Sequence, residues 1–236
     1  MSSLVEAIAK QAQSTFSRCL TDECFAENLT KLIRNVSRIR ATDLNFNKDS
    51  VCAATDNDGQ RPAPVIYIEV AENQAFSMGI FLLRNGTRIP LHDHPGMHGV
   101  LKVIQGTVQI TSFSKIQLPP GSKPPQDINN RVKGVARDLL IPVEKHSSAI
   151  LTDRDEPCVL SPNECNYHDI VAVGGMAAFL DILAPPYDMK ARNCHYYVPM
   201  ETKKTDSEAK TWLLRTPPPC DYWCRAAPYT GPKFTL

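Results

Sequence analysis

The sequence lacks three features that would place the protein at a membrane, outside the cell or on nucleic acid. No apolar run among its 236 residues approaches the ~20 residues that a membrane-crossing helix needs. The opening MSSLVEAIAKQAQSTF does not have the basic-then-apolar order of a secretion signal. With 26 basic and 25 acidic side chains, no overall field attracts nucleic-acid phosphates. We therefore expect a cytoplasmic protein that binds neither membranes nor nucleic acid.

The cysteines do not have the spacing of a structural zinc site. Eight are present, and the two close pairs, Cys19 with Cys24 and Cys220 with Cys224, are separated by four and three residues. Neither pair has the two-residue gap of a zinc knuckle, and neither has a partner pair at zinc-finger distance. In a reducing compartment, we expect all eight to be thiols.

The chain divides into a helical start and a long region of short strands. Apolar residues recur at helical intervals within residues 1–45, which predicts two amphipathic helices. From Val65 onward, segments such as VIYIEVA, FSMGIFLLR, HGVLKVI and AAFLDIL are rich in β-branched and aromatic residues. Many short strands predict an all-β barrel or sandwich with the helices packed outside, and we treat residues 1–236 as one domain.

Residues 114–155 interrupt the strand pattern with a proline-rich, basic and polar segment. We interpret this segment as a flexible insertion between strands. The alternative is that its basic cluster helps to dock a partner. That cluster consists of Arg131, Lys133 and Arg137.

Two of the six histidines, His92 and His94, stand two positions apart in the run PLHDHPGMHGV. In an extended strand, side chains two residues apart point to the same face, so both imidazoles can reach one point. A single buried histidine is commonly a core residue. A pair at this spacing, after the turn-forming Asn85-Gly86, favours a metal site.

The residues around this pair resemble the first sequence motif of the cupins, small β-barrels that bind a metal inside. The matching residues are Gly86, His92, His94 and Gly106. Where cupins usually carry a glutamate ligand, this chain has His98 and Gly99. The resemblance implies a cupin-type barrel, also called a double-stranded β-helix, whose metal is held by three neutral histidines.

The third ligand must come from the remaining histidines, which are His98, His146, His168 and His195. The second cupin motif supplies a histidine from a later strand, and His168 in the run ECNYHDIVAVGG stands at such a position. His98 is the competing candidate, because a neighbouring strand position can turn inward. We expect His146, in a polar segment, to be exposed to solvent.

Three neutral imidazoles leave a divalent ion its full charge and open coordination positions. Such a site attracts an anionic ligand. A thiolate is a natural candidate, because binding to a metal lowers the pKa of a thiol.

Longer segments resemble the family of thiol dioxygenases that contains the cysteamine dioxygenases and the plant cysteine oxidases. They are PLHDHPGMHGVLKVIQGTVQI, FLDILAPPYD, RNCHYYVP and TWLLRTPPPCDYWCRAAPYTGPK. The resemblance runs from about Phe76 to the C-terminus, apart from the insertion, and it implies Fe(II) bound by His92, His94 and His168. It also implies that O₂ converts the thiol of cysteamine, or of an amino-terminal cysteine in a protein, to a sulfinic acid. The second reaction is linked to oxygen sensing through protein degradation.

The same resemblance implies roles for three further residues. Cys194 and Tyr196 match a pair that can form a thioether crosslink near the iron, although a buried thiol beside an aromatic ring is the simpler interpretation. Asp181 matches an acidic residue that orients the substrate, but it can equally cap the APPYD turn. Tyr187 is a candidate for the rim of the pocket.

Two other functions remain open at this point. A non-catalytic cupin would bind a ligand or act as a scaffold, and its site would be metal-free or filled with zinc. A dioxygenase for free cysteine would need an arginine for the substrate carboxylate. Arg84, Arg88 and Arg192 lie near the ligand-bearing segments but not within them, which argues against free cysteine. We expect a monomer, because no apolar edge pattern is evident.

Overall fold

The computed structural model describes residues 3–17, 22–56, 59, 61–132, 134, 137–188, 190–201 and 211–236. Its helices are α1 (Leu4–Phe16), α2 (Asp22–Ser37), α3 (Lys48–Thr55) and α4 (Gln126–Arg131). Its first strands are β1 (Val65–Glu72), β2 (Ser77–Leu83), β3 (Arg88–Asp93), β4 (His98–Gln105), β5 (Thr107–Lys115), β6 (Leu140–Lys145) and β7 (Ala149–Thr152). The later strands are β8 (Cys158–Leu160), β9 (Tyr167–Ala172), β10 (Ala177–Ala184), β11 (Tyr196–Met200), β12 (Thr211–Thr216) and β13 (Cys224–Ala227).

The strands form two sheets that face each other. The first sheet has the order β13-β1-β2-β10-β4-β8, and the second has the order β6-β12-β11-β3-β9-β5-β7. Strand β5 also pairs with β6, which closes six strands of the second sheet into a ring. The predicted all-β, cupin-type barrel is confirmed.

The two N-terminal helices cover the outer face of the first sheet. Helix α1 begins after Ser3, whose hydroxyl accepts a hydrogen bond from the Glu6 N–H at 3.2 Å and so satisfies a free donor of the first turn. Its buried Ile8 and the buried Leu32 of α2 belong to one apolar cluster with outward-facing strand residues such as Ile80. The predicted position of the helices outside the barrel is confirmed.

Strand β10 shows how alternation separates the two apolar layers. Leu180 and Ile182 pack in the layer beneath the helices, whereas Phe179 packs in the layer between the two sheets. Because successive strand side chains point to opposite faces, Asp181 shares the inward face with Phe179. A carboxyl group is therefore directed into the interior of the barrel.

Two segments that the sequence did not resolve into elements are regular in the structure. Residues 45–64, to which the sequence analysis assigned no element, contain α3, which begins where Asn47 Oδ1 accepts from the N–H groups of Asp49 and Ser50, both at 3.0 Å. The segment 114–155 contains α4 and also supplies β6, which pairs with β5 and β12, and β7, which pairs with β5. The strands with which β6 and β7 pair lie elsewhere in the chain, so the composition of the segment alone does not reveal that it forms strands. Lys133 and the side chain of Arg137 lie outside the described residues, and the segment's flexibility stays a prediction.

None of the helices in the described ranges has the length and apolar content that a membrane crossing requires.

Candidate metal centre

Three histidines from two neighbouring strands converge inside the barrel. His92 lies on β3, His94 follows its end, and His168 lies on β9, directly opposite His92 in the antiparallel pairing. Paired residues share a face of the sheet, so this register brings together ligands from distant parts of the chain. The ring centroids are 4.7–4.8 Å apart, and one nitrogen of each ring lies within 4.8 Å of the others.

Hydrogen bonds to the far side of two rings fix which nitrogen faces the centre. His92 Nδ1 lies 2.8 Å from the carbonyl oxygen of Pro90, to which it can only donate. The Tyr187 hydroxyl donates to the Asp93 carbonyl at 2.6 Å and lies 2.9 Å from His94 Nδ1, which therefore donates to it. With the proton on Nδ1, each of these neutral rings keeps an Nε2 lone pair for a metal.

The chemistry of the donor set fits a single metal ion. Burial lowers the pKa of all three rings below the ordinary histidine value, and for His94 the neighbouring His92 and His168 lower it further. Neutral rings are the form that binds metals. The Nε2 atoms of His94 and His168 are 3.1 Å apart, close enough that both would be ligands of the same ion.

The residue between the two ligands, Asp93, faces the other side of β3 and holds it in place. Its carboxylate is buried and accepts hydrogen bonds from the His195 N–H at 2.9 Å and from the Tyr197 hydroxyl at 2.8 Å, with His195 Nδ1 at 3.1 Å. These partners lie on or beside β11, the strand next to β3. Asp93 thus fixes the strand end from which His94 extends.

The side chain of Asn166 holds the backbone of His94 through hydrogen bonds. Its Nδ2 donates to the His94 carbonyl at 2.8 Å and to the Ser161 carbonyl at 2.9 Å, and its Oδ1 accepts from the His94 N–H at 3.2 Å. Since Asn166 stands two residues before His168, it ties the two ligand segments together. Neither Asp93 nor Asn166 was predicted from the sequence. Of the two, only Asp93 has a feature in the sequence that could have indicated its role, namely its position between two ligands.

The other two candidate histidines lie outside the cluster. His98 packs against Phe25, with ring centroids 4.9 Å apart, and its Nδ1 is buried without a hydrogen-bond partner among the described residues. His146 is half-buried rather than exposed, which corrects the sequence-based expectation. Its Nε2 lies 2.7 Å from Ser114 Oγ, because β6 pairs with β5 and brings this segment back onto the barrel.

Two cavities adjoin the cluster. The histidine cavity, of about 210 Å³, is lined by His168, His146 and residues of β7 and β8. The tyrosine cavity, of about 360 Å³, is lined by Tyr67, Tyr187 and Tyr222. Asp181 lines both cavities. It lies in the middle of β10 and does not cap the following turn.

The lining of these two cavities is acidic. Their carboxylic side chains are those of Asp181 and Glu72, and no lysine or arginine stands among the described residues that line them. Burial raises the pKa of the Asp181 carboxyl to about 7. A cationic group is therefore the ligand that this carboxylate favours.

Cys194 and Tyr196 lie beside the metal centre. Tyr196 is directly opposite His92 in the pairing of β11 with β3. The Cys194 thiol is in hydrogen-bonding contact with the hydroxyls of Tyr187 and Tyr196, and burial raises its pKa to about 11. The structure thus brings together the two residues that the sequence analysis paired.

The barrel and its three-histidine cluster define the protein as a metal-binding cupin-type protein. The PCO_ADO family model matches residues 36–234. The 2-aminoethanethiol dioxygenase of Mus musculus is 42% identical over 99% of this chain and 97% of its own. Plant cysteine oxidase 1 of Arabidopsis thaliana is 30% identical over 61% of this chain and 45% of its own. A cupin superfamily protein of known structure from Desulfitobacterium hafniense aligns with 53% of this chain and 91% of its own, at 13% identity and a TM-score of 0.34.

The chain belongs to the PCO_ADO family. The kinship predicted from the sequence is confirmed, and with it the prediction of an oxidoreductase of the dioxygenase type.

The role of Asn166 can be tested through metal affinity. In the Asn166→Ala variant, the backbone of His94 loses its side-chain partners, so we expect the affinity for Fe(II) to fall about 10- to 100-fold. Competition with a coloured chelator measures this affinity. Asn163→Ala, at an exposed position of the same turn, is the control and should bind like the wild type. Equal affinity in all three proteins would contradict the role.

The pKa of Asp181 predicts a pH-dependent difference in stability. A carboxyl whose pKa is raised in the folded state contributes stability that is present at low pH and is lost as the pH rises through the folded-state pKa. Between pH 4 and pH 8, metal-free wild type should lose about 2–4 kcal/mol of unfolding free energy relative to Asp181→Asn. Urea unfolding at several pH values measures this difference. A difference that does not change with pH would show that the carboxyl titrates normally.

Proposed function

We propose that the protein is an Fe(II)-dependent thiol dioxygenase that acts on cysteamine and on amino-terminal cysteine residues of peptides and proteins. The substrate R–SH takes up both atoms of one O₂ molecule and becomes the sulfinic acid R–SO₂H. The observation that carries the proposal is the cluster of three neutral histidines that can hold one metal ion. It adjoins a cavity whose lining includes the carboxyl group of Asp181. The names of the relatives support the same chemistry.

In this proposal, His92, His94 and His168 hold the iron. When bound, Fe(II) supplies the redox chemistry that couples a thiol to O₂. Because the three ligands are uncharged, the site retains its full positive charge and favours the thiolate form of a substrate. The hydrogen bonds of Tyr187 and Pro90 keep the rings oriented.

The remaining residues select the substrate. Cysteamine and an amino-terminal cysteine share a thiol two carbons from an amine, and the carboxylate of Asp181 is placed to accept hydrogen bonds from that ammonium group. Free cysteine adds a carboxylate, which meets the acidic lining of both cavities and finds no lysine or arginine among their described residues. Leaving a charge without a partner costs binding free energy.

The setting that we propose is a monomeric, single-domain enzyme in the cytoplasm that links oxygen supply to protein degradation. A single domain is supported by one apolar cluster that contains Val5 of α1 and Phe234 near the C-terminus. Among the described residues, the cysteines at 52, 158, 165, 194, 220 and 224 are free thiols, which suits a reducing compartment. Oxidation of an amino-terminal cysteine requires O₂, so its rate can report oxygen.

The test is an oxygen-uptake assay. The protein is first loaded with Fe(II) without oxygen, and O₂ is then added together with the substrate. With cysteamine or a peptide that begins with cysteine, we expect O₂ consumption and a product heavier by two oxygen atoms. For free cysteine, kcat/KM should be at least about 10-fold lower, because its carboxylate has no cationic partner. An oxygen electrode and mass spectrometry measure both quantities.

Two histidine variants control this experiment. His94→Ala should lose iron and oxygen uptake together, whereas His98→Ala, outside the cluster, should keep both. A protein that binds metal but consumes no O₂ with any thiol would instead be a non-catalytic cupin. Preference for free cysteine would overturn the substrate assignment.

We also propose that Cys194 and Tyr196 form a thioether crosslink, which is supported by the contact between thiol and hydroxyl. The new sulfur–carbon bond releases two hydrogen atoms, which O₂ accepts as the oxidant. Wild-type protein after turnover should therefore be lighter by two hydrogens than the mass of its own sequence, whereas Cys194→Ser should keep its full sequence mass, as intact-protein mass spectrometry measures. The variant should retain iron with turnover reduced about 2- to 10-fold. Cys220→Ser, at an exposed thiol, should behave like the wild type, and loss of all iron in Cys194→Ser would contradict this assignment.

A further inference from the structure

The histidine cavity lies in a gap between the margins of the two sheets. One wall is formed by β8, the last strand of the first sheet, and the other includes Ala149 of β7, the last strand of the second sheet. At its inner end the same cavity reaches His168 and Asp181. It therefore connects the metal centre with two strand edges that pair with no further strand of the described residues.

The two edge strands carry exposed apolar side chains. Ile150 of β7 is 66% exposed and Val159 of β8 is 39% exposed. They are two of the five large apolar side chains that are exposed among the described residues. Val159 lines the histidine cavity, and Ile150 is the strand neighbour of Ala149, which lines it as well. Exposed apolar residues at the opening of a cavity indicate a surface that is covered when a ligand binds.

The connection between β7 and β8 is anchored from inside the fold. Lys102 of β4 is almost fully buried, and its Nζ donates to the carbonyl oxygens of Asp153 and Asp155 at 2.7 and 2.6 Å. Charge-assisted hydrogen bonds of this kind are among the stronger ones. The turn after β7 is therefore held in place, and the gap has a fixed width before any ligand arrives.

The tyrosine cavity is the competing route to the same carboxyl group. It is larger, but its lining contains no metal ligand, whereas His168 is part of the histidine cavity. A substrate whose thiol must reach the metal has a direct path only through the cavity that contains a ligand.

We propose that the peptide following an amino-terminal cysteine leaves the site through the histidine cavity and lies extended along the edges of β7 and β8. The inference rests on the function proposed above. The ammonium group faces Asp181, the backbone hydrogen-bonds to a free strand edge, and apolar side chains of the peptide contact Ile150 and Val159. Addition of a strand to a sheet edge is a common mode of peptide recognition. Cysteamine ends at its amine and makes none of the outer contacts.

Tryptophan substitutions at two alanines test the route. Ala149 lines the histidine cavity and Ala226 lines the tyrosine cavity. In Ala149→Trp we expect kcat/KM for a cysteine-initiated peptide to fall at least about 10-fold and by a larger factor than kcat/KM for cysteamine, which is smaller and makes no outer contacts. Ala226→Trp should leave both values unchanged. A peptide-selective loss in Ala226→Trp alone would overturn the proposal in favour of the tyrosine cavity.

A second pair of substitutions, at the surface, tests the same route if a tryptophan at Ala149 prevents folding. Val159→Lys adds a charge at the cavity opening, and Val173→Lys adds one at a position of similar exposure, 38% against 39%, away from both cavities. Only Val159→Lys should raise the KM for the peptide, by about 5- to 10-fold. Equal effects of the two substitutions, or equal losses with peptide and cysteamine, would overturn the proposed route. Absence of activity with both substrates in the wild type would instead refute the proposed function.

Discussion

The functional site depends on the register between β3 and β9. That pairing sets His92 opposite His168, although 75 residues separate them along the chain. A slip of one residue would turn the β9 ligand to the opposite face of the sheet and remove it from the cluster. The apolar alternation of both strands resists such a slip, since Ile89 of β3 and Ile170 of β9 must stay in the layer between the sheets. The metal centre is thus fixed by the same packing that stabilises the barrel.

Around this register, the chain orients the ligands with neutral contacts and keeps its carboxylates at a distance. Backbone carbonyls, a tyrosine hydroxyl and the Asn166 amide fix His92 and His94. Asp93 supports the strand from its other face, and Asp181 reaches the cavities from β10 of the facing sheet. As a result, the first coordination shell carries no negative charge. This separation would leave a bound metal electrophilic, and in the proposed function it leaves the Asp181 carboxylate available for a substrate amine.

Local pattern and family resemblance predicted much of this arrangement. His92 and His94 were evident because strand alternation relates residues two positions apart, and the resemblance pointed to His168, Asp181, Cys194 and Tyr196. Asn166 had no such signal, because its partner lies on another strand and only the folded chain makes them neighbours. The same reason explains why β6 and β7 were hidden in a proline-rich segment and why His146 is half-buried. Helix α3 is different, because its capping residue Asn47 is a local signal in the sequence, although no helix was predicted there.

The anchoring of the β7–β8 turn by Lys102 has a consequence for how binding free energy is distributed. Because the opening is already ordered in the free protein, no conformational entropy of a closing loop opposes association. The entropy cost that is left is the loss of conformational freedom of the bound peptide. This cost grows with the number of peptide residues that become immobile. Short or intrinsically extended amino termini would be favoured on this basis. Selectivity among protein termini would then follow from chain stiffness as well as from side-chain identity.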